Sequence, residues 1–442
     1  MNPITQTQLS SWSGRFGSDQ RYQLAALALS KSNMADVAFV PASANTLRQK
    51  FSINIPTLDA ANQKSSGRCW IFAATNVLRE RIAQRCNLKQ FELSQSYLAF
   101  YDKFERANYF LESILETADL PTADRTVAHI LATGVHDGGQ WDMFANIVQK
   151  YGVMPKDAYD ETFQSSNTAM VNRILNQNLK VCAIRLRKMV REQKTREEIQ
   201  EEKNSMLAAI YQYLVSCYGE PPKTFDFEYE DKDNQYHRET GYTPLSFSRK
   251  YVGDLLDNVV SVIHAPTADK PYHKTFAIRL LGNVADGKPV VHLNLTLDEL
   301  KNAIISQLQA GKVVWFGSDV SNYGDRERGF WDDRSYNFEL LTGLSLDISK
   351  ADALDYGFSA MNHAMVITGV NLVDGKPNRW KIENSWGDDR GSKGYFVCSD
   401  SWFDKFVFQA AIEKEYLGDL AEFADCQPIM LEPWDPMGTL AD

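Results

Sequence analysis

Gln63-Lys-Ser-Ser-Gly-Arg-Cys69-Trp70 sets a cysteine directly after a Ser-Ser-Gly turn, at the start of a pattern in which Ile71, Ala74, Leu78 and Ile82 recur at helical spacing. A cysteine at a helix N-terminus feels the positive end of the helix dipole. That favours the thiolate, the nucleophilic form of the residue. The side-chain amide of Gln63, six positions upstream (69 − 63), pairs naturally with the Cys69 backbone N–H. Two such donors suit the oxyanion that forms when sulfur attacks a carbonyl. Taken alone, the stretch also fits a structural cysteine on a core helix, because free cysteine usually packs as a small hydrophobe.

The other end of the chain favours chemistry. A thiol nucleophile needs a base, and the base needs a group that orients it. His363 opens the apolar run Ala364-Met-Val-Ile-Thr-Gly-Val370, which reads as a buried strand. Asp374-Gly375 is a turn signal, and Trp380-Lys-Ile-Glu-Asn384 returns as a second strand. A hairpin folded about Asp374-Gly375 sets position i opposite position 749 − i. His363 then faces Trp386 and lies within about two residues of Asn384. Pro377 cannot donate a ladder bond, which argues for a longer loop. The Asn384 amide is placed to hold one imidazole nitrogen while the other faces Cys69, and Trp386 to shield that bond from water.

The ordered set Gln–x5–Cys-Trp, Asn-His-Ala and Asn-Ser-Trp-Gly resembles the motifs of papain-like cysteine peptidases. Four stretches look closer to the branch that contains bacterial aminopeptidase C and bleomycin hydrolase. They are Gln63 to Ala73, Asp137-Gly138-Gly139-Gln140-Trp141-Asp142-Met143, Met361-Asn362-His363-Ala364-Met365, and the end Leu431-Glu-Pro-Trp-Asp-Pro-Met-Gly-Thr-Leu-Ala-Asp442. The papain-type motifs fall in residues 58–160 and 290–410, and the likeness spans nearly the whole chain.

The resemblance implies an α+β fold: a papain-like two-lobed peptidase with a helical left lobe, a β-barrel-like right lobe, a large mostly helical insertion, and arms at both ends. The expected divisions are an N-terminal arm (1–50), the left lobe with the nucleophile helix (51–165), an insertion and oligomerisation region (166–288), the right lobe with His363 and Asn384 (289–425), and a C-terminal arm reaching the cleft (426–442). It implies a cytoplasmic cysteine aminopeptidase of broad specificity that acts on peptides with a free N-terminus. Cys69 is the nucleophile, His363 the base, Asn384 its orienter and Gln63 an oxyanion donor. Cys69 and His363 are expected as a thiolate–imidazolium pair, with the thiol pKa lowered and the imidazole pKa raised. Gly138 and Gly139 resemble the paired glycines that let a substrate backbone approach, and Asn362 is a candidate substrate contact. The end of the chain, Ala441 and Asp442, is expected in the cleft, where a carboxylate would pair with the substrate α-amine. If the arm does not reach the cleft, the same fold is an oligopeptidase or endopeptidase. The resemblance also implies a homohexamer.

Spacing and composition are consistent with this. Cys69 and His363 lie 294 positions apart (363 − 69), far more than a minimal two-lobed domain needs. The surplus falls near 165–285, where residues 186–216 read as one long charged helix ending at Gly219-Glu-Pro-Pro222. After it, Tyr229, Tyr236, Tyr242, Phe247 and Tyr251 form an aromatic stretch, a candidate partner-facing surface. Thr296-Leu-Asp-Glu299 reads as a capping box opening a helix that Gly311 ends, with Val313-Val-Trp-Phe-Gly as a core strand beyond. The six cysteines are widely scattered, as in a reducing compartment, and position 66, a disulfide cysteine in secreted papain relatives, is serine. The first residues lack the pattern of a signal peptide, and no run is long enough to span a membrane. A formal charge of −10 disfavours nucleic acid as a partner. The seven histidines show no metal-ligand spacing, so neither metal nor cofactor is expected.

Overall fold

The computed structural model describes residues 1–441. Helix Cys69–Cys86 is buried on every face along most of its length, with Arg81, Gln84 and Arg85 exposed near its end, the pattern of a core helix rather than a surface one. It packs against strands His363–Val373 and Val314–Ser318 on one side, and against helices Gln95–Glu116 and Trp141–Tyr151 on the other. The helix thus lies at the seam of a helical lobe and a β lobe. Its buried polar groups cross that seam. Arg79 Nη2 lies 2.6 Å from Glu383 Oε1, and Asn76 Nδ2 donates to the same oxygen at 2.7 Å. Burial pushes the Glu383 carboxyl up to about 7 against the pull of Arg79.

The β lobe is one continuous sheet. In spatial order its main path runs Ile429–Leu431, Lys274–Ile278, Val291–Asn294, Val259–Ile263, Val407–Glu413, Val314–Ser318, His363–Val373, Lys376–Glu383, Tyr395–Ser399, Phe330–Trp331 and Gly324–Asp325. The hairpin that carries His363 closes in two residues. Val373 pairs with Lys376, and Asp374 (φ 51°) and Gly375 (φ 78°) take the left-handed conformations of a tight primed turn. Two register shifts, one of them beside Pro377, cancel, so Val366 faces Glu383 and Ile367 faces Ile382 on the 749 − i register. The longer loop argued from Pro377 does not form, because the proline sits at the irregularity, where its missing N–H costs no ladder bond.

Three expectations about the central region need correction. Residues 186–216 are not one helix. Helices Ala169–Arg191 and Arg196–Tyr218 pack on each other and on Gln95–Glu116. The break is written locally: Gln193 has φ 54°, and Thr195 with Glu198 forms a complete capping box that starts the second helix. Strands Val259–Ile263 and Lys274–Ile278, inside the range 166–288 taken as largely helical, belong to the main sheet. Their runs are too short to carry a period of their own. The aromatic stretch is mostly an internal cluster. Hairpin Phe225–Glu230/Tyr236–Tyr242 folds onto helix Pro244–Tyr251, with the Phe227 ring 5.1 Å from Phe247 and 5.5 Å from Tyr251, while Tyr236 stays exposed.

Candidate active site

The turn before Cys69 is pinned from two directions. Arg68 forks onto Glu161, with Nη1 and Nη2 each 3.0 Å from a carboxylate oxygen. The Gly67 N–H donates to Asp137 Oδ2 at 2.9 Å, and a Cβ on Gly67 would come 2.8 Å from the Asp137 Cβ, so the close approach requires glycine. Asp137 is itself held by Lys103 Nζ (2.5 Å) and Asn172 Nδ2 (2.9 Å). Burial opposes ionisation of Asp137, yet the Lys103 ammonium and the hydrogen bonds hold its carboxyl well below the usual range.

Across the seam, His363 Nε2 lies 2.9 Å from Asn384 Oδ1. The Trp386 ring stacks on the imidazole, centroids 4.9 Å apart at 27°. The Ala364 N–H points at Cys69 Sγ, 3.4 Å away. Gln63 joins the two lobes: its N–H donates to Ser385 O (2.8 Å), its Oε1 accepts from Ser385 Oγ (2.6 Å), and its Nε2 donates to Ser66 O (2.6 Å). One N–H of the amide remains for a further acceptor. Cys69, Gln63, His363, Asn384 and Trp386 are therefore brought into one place.

Burial works against the charged pair expected from the sequence. Burial pushes the Cys69 thiol up to about 11, against the Ala364 N–H, which pulls it down. Burial pushes the His363 imidazole down to about 4, against the Asn384 hydrogen bond. Each group, taken singly, is driven to its neutral form because a lone charge at this depth loses its water. The Ala364 N–H and the Asn384 hydrogen bond oppose that drive singly, and attraction between the charged sulfur and ring would oppose it jointly.

The cleft walls follow. Gly139 packs flat on Trp70; a Cβ there would lie 2.4 Å from the indole. Gly139→Ala is expected to lower stability by about 1–3 kcal/mol through overpacking, read as a drop in Tm. The Gly138 carbonyl accepts from Arg106. Asn362 is exposed, but its amide is spent on the neighbouring loop: Nδ2 donates to Asp319 Oδ1 (2.6 Å) and Ser321 Oγ (2.7 Å), and Oδ1 accepts from the Val320 N–H (3.0 Å). The C-terminal arm packs on residues adjoining these segments. Gln140 Nε2 donates to Met437 O (3.1 Å), Thr439 Oγ1 donates to Met361 O (2.9 Å), and a Cβ on Gly317 would lie 3.3 Å from Leu440. Ala441 is buried there; Asp442 lies outside the described residues. Among the described residues no group of His, Cys, Asp or Glu is arranged to hold a metal ion, and no helix is long and apolar enough to cross a membrane.

The model of the Peptidase C1-like family matches residues 3–438. The chain belongs to that family. Among curated relatives of this Peptidase C1-like chain, Aminopeptidase C of Lactobacillus delbrueckii subsp. lactis is 51% identical over 395 residues, 88% of each chain. Aminopeptidase C of Listeria innocua is 44% identical over 439 residues, 99% of each. Among solved structures, PepW from Lactobacillus rhamnosis superimposes with a TM-score of 0.97 at 45% identity, covering 99% of both chains. The fold is thus the two-lobed papain-like one, and the chain is a cysteine-type peptidase.

Sequence reading missed the supports of this Peptidase C1-like site. Ser385 holds Gln63, Asp137 holds the turn before Cys69, and Arg106 reaches both Gly138 and Ala441. Ser385 and Asp137 sit inside motifs that had been quoted, so adjacency was the available signal. Arg106 had none.

Proposed function

We propose that this cysteine aminopeptidase removes single residues from free peptide N-termini by a Cys69–His363–Asn384 mechanism. His363, oriented through Nε2 by Asn384, takes the Cys69 proton at Nδ1 as sulfur attacks the scissile carbonyl. The oxyanion is met by the Cys69 backbone N–H and the remaining Gln63 N–H. His363 then gives its proton to the leaving amine and, in the second half, activates water to release the acyl group. Trp386 keeps water from the His363–Asn384 bond.

One observation carries the aminopeptidase reading. Leu440 is seated on Gly317, the cross-strand partner of Ala364, whose N–H touches the nucleophile. Chain seated there would fill the groove upstream of Cys69 and leave a substrate little length beyond its first residue, which supports the reading. Relatives named Aminopeptidase C and Aminopeptidase G, the latter 39% identical over 435 residues, support it. Gly138 and Gly139 form the wall along which the substrate backbone lies, and the arm's end meets its ammonium. Broad specificity fits a ruler that reads the amine rather than a side chain.

A cytoplasmic homohexamer remains the preferred assembly. Met170, Ile174, Val181 and Ile184 expose an apolar stripe along helix Ala169–Arg191, and Leu9, Trp12 and Phe16 do the same on helix Gln6–Ser18. Apolar faces of this kind usually meet a partner.

The test compares a fluorogenic amino-acid amide with its N-acetylated twin, using the full chain and a version lacking residues 439–442. The full chain should strongly prefer the free amine, and truncation should raise cleavage of the blocked twin at least tenfold. Equal cleavage of both by the full chain would make it an oligopeptidase instead.

A further inference from the structure

We infer that Arg106 is a positioning residue that fixes where the C-terminal arm stops in the cleft, an inference that rests on the aminopeptidase reading above. Arg106 lies on helix Gln95–Glu116 and is 7% exposed. A guanidinium at that depth needs partners for its donors. Its Nε is 2.9 Å from Asp102 Oδ2, and the other Asp102 oxygen accepts from Asn283 Nδ2 at 2.9 Å. Asn283 is anchored in turn on Met143 O at 3.0 Å. The Asp102 side of the fork is thereby locked in direction.

The other edge of the guanidinium does something that charge pairing does not require. Nη2 donates to Gly138 O, on the cleft wall, and Nη1 reaches Ala441 O at 3.4 Å. The group also sits over the Trp70 ring, 5.7 Å from its centroid, next to the nucleophile. One rigid side chain therefore joins the residue after Cys69, the wall beside the substrate, and the last described residue of the arm. The other ties of the arm act earlier: Lys270 on Asp435 (2.8 Å), Gln140 on Met437, and Thr439 on Met361. Without Arg106 the final turn keeps its anchors upstream but loses the contact that stops its end against the wall. Lysine has one ammonium and no planar fork, so it serves one carbonyl rather than both.

The experiment measures kcat/KM for a free-amine amide and its N-acetylated twin in wild type, Arg106→Met and Arg106→Lys. Each is made in the full chain and in the chain lacking residues 439–442. Brief alkylation read as modification of the Cys69 peptide, apart from the other five thiols, counts intact sites, so partial misfolding scales both substrates equally and leaves their ratio alone. In the full chain Arg106→Met should lower the free-to-blocked ratio at least tenfold, and Arg106→Lys should recover part of it. In the truncated chain Arg106→Met should leave the ratio where truncation put it. An unchanged ratio in full-length Arg106→Met overturns the inference. So does an equal fall in the truncated chain, which would make Arg106 a support of the Gly138 wall alone. Failure of the underlying reading shows separately, as a wild-type ratio that truncation does not move.

Discussion

Cys69→Ser is expected to lower kcat/KM by about 10⁴-fold or more while shifting Tm by no more than about 2 °C. The two side chains are close in size, and the helix that carries position 69 is packed on all sides by residues the change does not touch. The chemistry changes far more than the packing. Burial already sets the thiol at about 11, and a hydroxyl starts higher still. The imidazole opposite, pushed down to about 4, is a weak base for it. The Ala364 N–H and the helix N-terminus stabilise a large, polarisable thiolate at this spot, and neither compensates for that difference in acidity. Steady-state rates on the free-amine amide and a thermal melt check both halves. Activity within tenfold of wild type with a normal melt would remove Cys69 from the mechanism.

The hairpin was legible because its signals are local. The Asp374-Gly375 turn signal and the apolar strands beside it set the His363 register despite the longer loop argued from Pro377, and the two shifts beside it cancel before the ladder reaches Glu383. The helix at Cys69 and the capping box at Thr296 are local in the same sense, and helix Leu297–Gln309 begins where that box sets it. The box at Thr195 was equally local and was passed over because the charge pattern ran through it. What one sequence cannot display is pairing across long separations. Asp137 on Gly67, Glu383 on Arg79, and Arg106 on Gly138 and Ala441 each join segments whose proximity exists only after folding. The reacting groups were visible because their residue types are chemically demanding. Their supports were not, since an aspartate or arginine on a helix reads first as a solvated charge. The same limit explains the charge state: motif spacing says that a thiol meets an imidazole, but burial decides how strongly each resists ionising.

His363→Ala is expected to slow alkylation of Cys69 by a neutral reagent such as iodoacetamide at least hundredfold at pH 7, and to change the shape of its pH profile. In the wild type the thiol and imidazole share one transferable proton. Sulfur and nitrogen exchange it without any net uptake from solvent, so the thiolate fraction does not depend on pH while that count holds. A second proton binds only as pH falls through about 4, where buried His363 protonates. The last leaves only as pH rises through about 11, where the thiol ionises by itself. Attraction between the charged forms widens this window at both ends, because it stabilises the one-proton state. Uncoupled groups at about 11 and about 4 would place only about one part in 10⁷ of the one-proton state in the thiolate–imidazolium form. The hundredfold effect therefore requires the attraction between sulfur and ring to raise that fraction above about one part in 10², and the wild-type rate is then flat between the two limbs. Without the ring, thiolate forms only by losing its proton to solvent, and a thiol near pKa 11 is ionised to about one part in 10⁴ at pH 7. The variant's rate should then climb about tenfold per pH unit from neutrality toward that value. A flat profile in His363→Ala at wild-type rates would show that Ala364 and the helix terminus hold the thiolate unaided, and would leave His363 as an acid for the leaving amine alone.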